Sequence, residues 1–331
     1  MRAPRVVGLG LCVVDHLYLV DGLDLGAGRL RYVARRVASG GMTATALAQA
    51  AALGCEAHLL SAVGDDPEGR WLGRELRRLG VRTGRLARSR ALPTTFAVCL
   101  VDRRSGERRF IVADRRRIER RAPALDLAPI ARGSVLLVDG HFPAQALRAV
   151  RRAREVGATV VGDFHRDTPA VRRLLPWVDH AIVPLEFAHS RGRDARGTLA
   201  DLARVCRGAP ALTLGERGGM LLLGGRVRRW RAPRVRVVDT TGAGDAFHGA
   251  FAAGLAHGLP FAASLELGAL AAARACTALG GTTALLPRRE LTRLRARSRL
   301  ARSSDSGPSD RAHPPSRSSP RAGRAKASGA T

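Results

Sequence analysis

The stretch "VVDTTGAGDAFHGAFAAGLAHG", residues 237–258, decides how this chain is read. β-Branched residues run into Asp239, two threonines and Gly242-Ala243-Gly244 follow, and Asp245 opens a helical run of small residues. "VRVVD" (235–239) reads as a strand and 245–257 as a helix. Glycines let successive N–H groups turn inward with no Cβ in the way. At a helix N-terminus such a nest binds anions, because the amides are unpaired and the dipole is positive there. Asp245 is equally suited to capping the helix. Locally, two readings stand: a capped turn, or a phosphate cradle with a carboxylate beside it.

Outward from this stretch, short apolar runs alternate with helical segments. Strands are expected in 5–13, 57–64, 134–140, 158–164, 180–184 and 210–215, several of them continuously apolar, as strands covered on both faces are. Helices are expected over 42–53, 67–79, 143–156, 198–207 and 245–257. "PAQALRAVRRAREVG" carries Pro143 at its start and Gly157 past its end, the usual helix frame. This rhythm predicts an α/β fold around a mostly parallel sheet. Residues 17–38 and the hairpin-like 94–113 break it and predict a small antiparallel sheet placed as a lid. A single folded unit is expected over 1–290, with 291–331 a disordered Arg/Ser/Pro-rich tail.

Composition narrows the chemistry. The 331 residues are 45% hydrophobic, with no run near the roughly 20 apolar residues of a membrane span. "VVGLGLCVV" reads as a buried first strand rather than a secretion signal, and the chain is expected in the cytoplasm. Five scattered cysteines without C-x-x-C spacing read as buried small hydrophobes, with neither a disulfide framework nor a zinc site. Formal charge is +28, yet Lys326 is the sole lysine, so neither a Walker lysine nor a Schiff-base lysine exists in the body of the chain. Aromatics are 4%, too few for stacking platforms, and no specific nucleic-acid partner is expected. "GLGLCV" (8–13) lacks the third glycine of a dinucleotide fingerprint.

The ordered set of motifs resembles the ribokinase/PfkB family of sugar kinases. D-T-T-G-A-G-D (239–245) with "AFHGAF" looks like the second family signature. "GGMTATALAQAAALG" (40–54) resembles the first, and "GLCVVDHLYLVD" (10–21) the N-terminal strand with its sugar-binding aspartate, here Asp15. "SAVGDDPEGRWLGRELRRLGV" (61–81), "LTLGERGGMLL" (212–222) and "GGTTALLP" (280–287) follow in the family order.

The resemblance implies a ribokinase-like three-layer sandwich and an ATP- and Mg²⁺-dependent kinase. Asp245 would take a proton from a sugar hydroxymethyl attacking the γ-phosphate, with the N–H groups of Gly242, Ala243 and Gly244 holding the developing charge. Asp15, Gly40, Gly41 and Thr45 would contact the sugar; Thr213, Gly215, Gly218 and Thr240 would border the nucleotide. Asp239 and Thr241 correspond to where some members bind K⁺, and a homodimer through the lid is implied by analogy. Thr45 stands where many members have Asn. The N-x-x-E motif that organises Mg²⁺ is replaced by "AIVPLEFAHS" (181–190), where Glu186 has no Asn before it.

"RYVARR" (31–36), the Gly40–Gly41 segment and "VVDTTGAGDAFHGA" are most similar to the sulfofructose kinases. There Arg31 would face a sulfonate, although His141 stands where an arginine is expected and Val112 where an amide is expected. His141 ends the strand 134–140, where open α/β sheets bind ligands, and is read as a substrate contact or a loop residue. His248 is read as a packed helix residue, and Asp163 and Arg166 as residues that hold one another or line the site, the structural role being favoured. A non-catalytic nucleotide or sugar sensor is the alternative from another class.

Overall fold

The computed structural model describes residues 3–24, 26, 28–114 and 116–305, the side chains of 116–118 and 298–305 excepted. The N-terminal part runs β1 (Arg5–Leu9), β2 (Val13–Val20), β3 (Tyr32–Gly40), α1 (Met42–Ala52), β4 (Glu56–Leu60), β5 (Ala62–Gly64), α2 (Pro67–Arg78), β6 (Val81–Arg82) and β7 (Ala87–Ser89). The middle runs β8 (Phe96–Asp102), β9 (Arg108–Val112), α3 (Arg116–Arg121), β10 (Val135–Val138), α4 (Pro143–Val156), β11 (Thr159–Asp163), α5 (Pro169–Leu174), β12 (His180–Pro184), α6 (Leu185–Ser190) and α7 (Ala195–Val205). It closes with β13 (Ala211–Thr213), β14 (Gly219–Leu223), β15 (Arg226–Trp230), α8 (Ala243–Ala256), α9 (Phe261–Ala275) and α10 (Arg288–Asp305).

Apolar strands drive the central layer. β10 is buried at every position, as a parallel strand covered on both faces must be. Nine strands form one sheet in the order β15-β14-β13-β12-β11-β10-β1-β4-β6, parallel from β13 to β6 and closed by the antiparallel hairpin β14–β15. One face carries a core shared by α1, α2, α8, α9 and α10; the other packs on α4, α5, α6 and α7. These are three layers, helix, sheet and helix.

The helix frame read from "PAQALRAVRRAREVG" matches α4, with Pro143 first and Gly157 as its left-handed C-cap. Side-chain caps set other starts: Asp66 accepts from Gly69 N–H at 2.7 Å before α2, and Asp194 from Gly197 N–H at 2.7 Å before α7.

The lid is a separate four-stranded sheet, β3-β2-β8-β9, in which β2 pairs antiparallel with β3 and parallel with β8, and β8 pairs antiparallel with β9. The apolar run 5–13 is thus two strands in two sheets: the chain leaves the main sheet after Leu9 and enters the lid at Val13. Residues 57–64 divide in the same way, between β4 and β5. "VRVVD" is not a strand. It joins no strand ladder among the described residues; the N–H groups of Val238 and Asp239 donate to the Cys276 carbonyl at 2.8 and 3.3 Å, and Val235, Val237 and Val238 stay exposed.

Five helices fall outside the sequence reading: α3, α5, α6, α9 and α10. α9 is buried along much of its length, so it lacks the amphipathic stripe that marks a surface helix. α10 corrects the boundary at 290. It continues to Asp305, and Leu291 and Leu294 lie in the core. The part of the expected tail beyond Asp305 lies outside the described residues. Four cysteines, Cys12, Cys55, Cys99 and Cys206, are buried, and burial pushes the thiols of Cys12, Cys55 and Cys206 up to about 12. Among the described residues no helix is long and apolar enough to cross a membrane.

Leu291→Ala and Leu294→Ala are each expected to lower stability by about 2–5 kcal/mol in urea titrations, the usual cost of truncating a buried leucine. Wild-type midpoints for both variants would show that α10 does not belong to the core.

Candidate functional site

Parallel strands end together at one edge of the sheet, and chemistry-bearing residues collect there. Asp139 follows β10 and is buried. Its Oδ2 accepts from Leu11 N–H at 2.7 Å and Thr43 Oγ1 at 2.9 Å, and its Oδ1 from His141 N–H at 2.9 Å. This carboxylate ties the exit of β1 to the first turn of α1 and to the loop after β10. Asp15 sits on β2 opposite Ala38 and is buried against Gly40, where any Cβ would collide with its carboxylate. Gly41 caps α1. The first family signature therefore holds Asp15 beside the N-terminus of α1.

The quoted stretch forms the facing wall. Gly242 caps α8 with a left-handed φ of 74°, and a side chain there would also meet Gly281 Cα at 2.6 Å. The N–H groups of Gly242 and Gly244 have no partner among the described residues, as expected at a helix start. Ala243 differs: its N–H folds back onto the Thr240 carbonyl at 3.3 Å. Asp245 stands in the first turn of α8, half-buried. Burial pushes its carboxyl above the usual carboxylate range. Asp139 adds to this rise, while His165, His248 and Arg108 oppose it.

Thr45 is 2% exposed, with its methyl 3.2 Å from the Cβ positions of both Gly242 and Gly281. It spaces α1 from the cradle. Asp239 is buried, and its carboxylate accepts from Thr241 N–H and Gly280 N–H, both at 2.8 Å. It braces the turn against the loop at 280. Thr213 ends β13, Gly215 opens a short 3₁₀ turn, and Gly218 lies under the backbone of Trp230–Ala232. A groove of about 510 Å³, lined by none of these three residues, lies between the β14–β15 hairpin and α9, with Leu221, Leu223, Trp230, Leu265 and Ala269 in its walls.

The lid contributes a residue that sequence reasoning missed. Opposed residues of paired strands share a face, so Leu19, Val101 and Arg108 lie on the same lid face as Asp15 and Cys99. That face meets the cradle: Cys99 Sγ is 3.5 Å from Thr241 Oγ1, and Arg108 Nη1 donates to Thr240 Oγ1. A guanidinium thus rests on the D-T-T-G turn of a site that holds no lysine. Nothing local marked Arg108 among so many arginines; only the strand register singles it out.

Other expectations are revised. Arg31 is exposed just before β3, beside the end of the lid where Val20 pairs with Tyr32. Five strand residues, about 17 Å, separate that end from Asp15, so Arg31 is not brought to the site. His141 has a defined partner, its Nδ1 lying 2.5 Å from Glu119 Oε1. Asp163 pairs not with Arg166 but with His248, whose Nδ1 is 3.3 Å from Asp163 Oδ2. Burial pushes Asp163 well above the carboxylate range, with Asp245 adding to the rise. Glu186 is exposed in the first turn of α6, and among the described residues no three His, Cys, Asp or Glu groups form a metal cage.

A family model described as pfkB family carbohydrate kinase matches residues 3–289. The chain is 32% identical over 302 residues to a fructokinase of Klebsiella pneumoniae, covering 83% of this chain and 96% of the relative. It is 30% identical over 279 residues to an aminoimidazole riboside kinase of Salmonella typhimurium, covering 74% and 84%. The fold matches the Arabidopsis thaliana ribokinase complexed with ribose and ATP, with a TM-score of 0.74, 21% identity and coverage of 88% and 99%. It also matches a Thermotoga maritima ribokinase, with a TM-score of 0.72, 22% identity and the same coverage.

The raised carboxyl of Asp245 sets the sign of a pH effect. If Asp245 serves as a base, protonation removes it, and activity is expected to fall as pH drops through a value above the ordinary aspartate pKa of about 3.9. A pH–rate profile whose acid limb lies at or below 4 would contradict this placement of Asp245.

Proposed function

The chain belongs to the pfkB family of carbohydrate kinases, and from that premise we propose that it transfers the γ-phosphate of ATP to a hydroxymethyl group of a small, uncharged sugar, with Asp245 as general base. The observation that carries this reading is the meeting of three elements: a half-buried carboxylate in the first turn of α8, unpaired N–H groups beside it, and Arg108 delivered by the lid onto Thr240.

In this reading the sugar lies between Asp15 and Asp245, against the N-terminus of α1. The Asp245 carboxylate takes the hydroxyl proton as the oxygen attacks the γ-phosphorus. The bond from that phosphorus to the bridging oxygen breaks, and ADP leaves. The N–H groups of Gly242 and Gly244 and the Arg108 guanidinium stabilise the charge on the transferred group. Thr213, Gly215 and Gly218 border the nucleotide.

Mg²⁺ would neutralise phosphate charge when bound. Mg²⁺ is often carried largely by substrate phosphates, and Glu186, exposed in the first turn of α6, is the protein group offered to it here. Asp239 already braces two N–H groups, so K⁺ enters only as an added ligand of that brace, with Thr241 beside it. A sulfonated substrate is disfavoured, because Arg31 stands away from the site and Glu119 holds His141. We place the enzyme in the cytoplasm, where ATP is available.

The lid also supports a homodimer. Its edge strands β3 and β9 lack outer partners among the described residues, and Tyr32 on β3 and Ile111 on β9 are 60% and 65% exposed. Such exposed apolar edges are covered in stable proteins. Sedimentation is expected to give a dimer that Ile111→Asp weakens; a monomeric wild type would refute the assembly.

Coupled ADP-release assays with a panel of ketohexoses, pentoses and polyols test the activity. At least one sugar is expected to stimulate turnover, and Asp245→Asn to lower kcat by about 10²–10⁴-fold. Thermal stabilisation by ATP or sugar without turnover would replace the kinase with a sensor.

A further inference from the structure

His248 and Asp163 lie behind the cradle and have no part in the reaction as described so far. His248 sits one turn into α8 and is 3% exposed; Asp163 ends β11 and is 1% exposed. His248 Nδ1 lies 2.8 Å from the Gly244 carbonyl oxygen, and Nε2 lies 3.0 Å from the Ile182 carbonyl oxygen on β12. Asp163 and Ile182 are register partners on adjacent strands, so one ring bridges the catalytic turn to two strand ends.

Proton inventory gives this bridge a charge. A carbonyl oxygen only accepts, so two carbonyl partners require a donor on both ring nitrogens, and only the imidazolium has two. A neutral ring would aim a bare nitrogen at an oxygen less than 3.1 Å away. Asp163 Oδ2 has no hydrogen-bond donor, and its 3.3 Å approach to Nδ1 is that of a counter-ion rather than an aligned hydrogen bond. Burial pushes the imidazole down even against the Ile182 and Gly244 carbonyls and Asp245, and burial with Asp245 and Asp139 pushes the Asp163 carboxyl well up. Against that tendency stand the two carbonyl contacts, at 2.8 and 3.0 Å, which only a doubly protonated ring satisfies. The remaining titratable groups around the pair are Asp245 on the same helix, His165 after β11, and Asp139 and His141 after β10.

We infer that His248, balanced by Asp163, is a positioning residue for the phosphoryl transfer: it grips the Gly244 carbonyl and so fixes Asp245, the next residue, relative to the sheet. The inference rests on reading Asp245 as the base. Misplacing a reacting group by about 1 Å costs roughly 10²-fold in rate, so the pair acts on kcat and leaves substrate binding alone.

Two measurements test this on the full chain. Nitrogen-15 NMR of histidine-labelled protein at pH 7.5, assigned by the loss of one resonance set in His248→Gln, reads the ring directly and needs no turnover. Both nitrogens of His248 are expected protonated; one bare nitrogen overturns the inference, whatever becomes of the kinase reading. Kinetics with the best acceptor of the sugar panel read the function. Asp163→Asn, which keeps shape but removes the counter-charge, is expected to lower kcat by about 10- to 100-fold, with both KM values within about threefold. Wild-type kcat in Asp163→Asn, or a loss confined to KM, overturns it. If His248→Gln does not fold, the Asp163→Asn kinetics and the pH dependence of the wild-type ring signals carry the test: a set that stays doubly protonated across pH 6–8 supports the bridge, and its absence refutes it.

Discussion

The site depends on how closely α1 and α8 approach one another. Gly249 of α8 lies against the Ala46 carbonyl of α1, where any side chain would collide, and Thr45 fits its methyl against Gly242 and Gly281. Both helices are built largely from alanine and glycine, and most of their residues are buried. Such backbone-to-backbone packing leaves little room for sliding, since interiors are packed like crystals. It sets two helix N-termini side by side at the same edge of the sheet, and helix N-termini attract negative charge. The acceptor wall at Gly40–Gly41 and the cradle at 242–244 thereby become opposite sides of one cleft. A bulkier residue at 249 would part the two walls without touching a single chemical group.

Charge then has to be balanced in a crowded space. Asp15, Asp139, Asp163 and Asp245 all lie around the cleft, and burial penalises each charge that lacks a partner. Asp139 is satisfied by three donors and works as a clamp. Asp163 is met by His248. Asp245 keeps one side open, and that is the carboxylate a reaction can use. Opposing these are Arg108 from the lid and the imidazoles of His165 and His248. Arg108 arrives on the same sheet that carries Asp15, so the lid joins the Gly40–Gly41 wall to the D-T-T-G turn.

Much of this was legible in the sequence, where local chemistry dictates local shape. The Gly242 turn, the Gly40–Gly41 start of α1 and the Pro143–Gly157 frame of α4 each follow from a backbone requirement that few residues meet. The parallel sheet follows from continuous apolar runs. What was hidden is what depends on distant pairing. Arg108 is one arginine among dozens until the register of β8 and β9 sets it on the face of Asp15. Asp163 seemed matched to Arg166, three residues away, yet a strand end and a helix turn give it His248 instead. "VRVVD" has strand propensity and, among the described residues, no strand ladder to join. α10 looked like the start of a polar tail because only Leu291 and Leu294 of its first turns reach the core.

The central claim is that this edge of the sheet moves a phosphoryl group to carbon-bound oxygen, rather than to water or nowhere. Phosphorus-31 NMR of the protein with ATP, Mg²⁺ and the sugar panel observes that transfer itself. The account predicts a new phosphomonoester resonance growing in step with ADP, with inorganic phosphate staying at the background of a sugar-free control. ADP accompanied only by inorganic phosphate, or an unchanged ATP spectrum with every sugar, would contradict it.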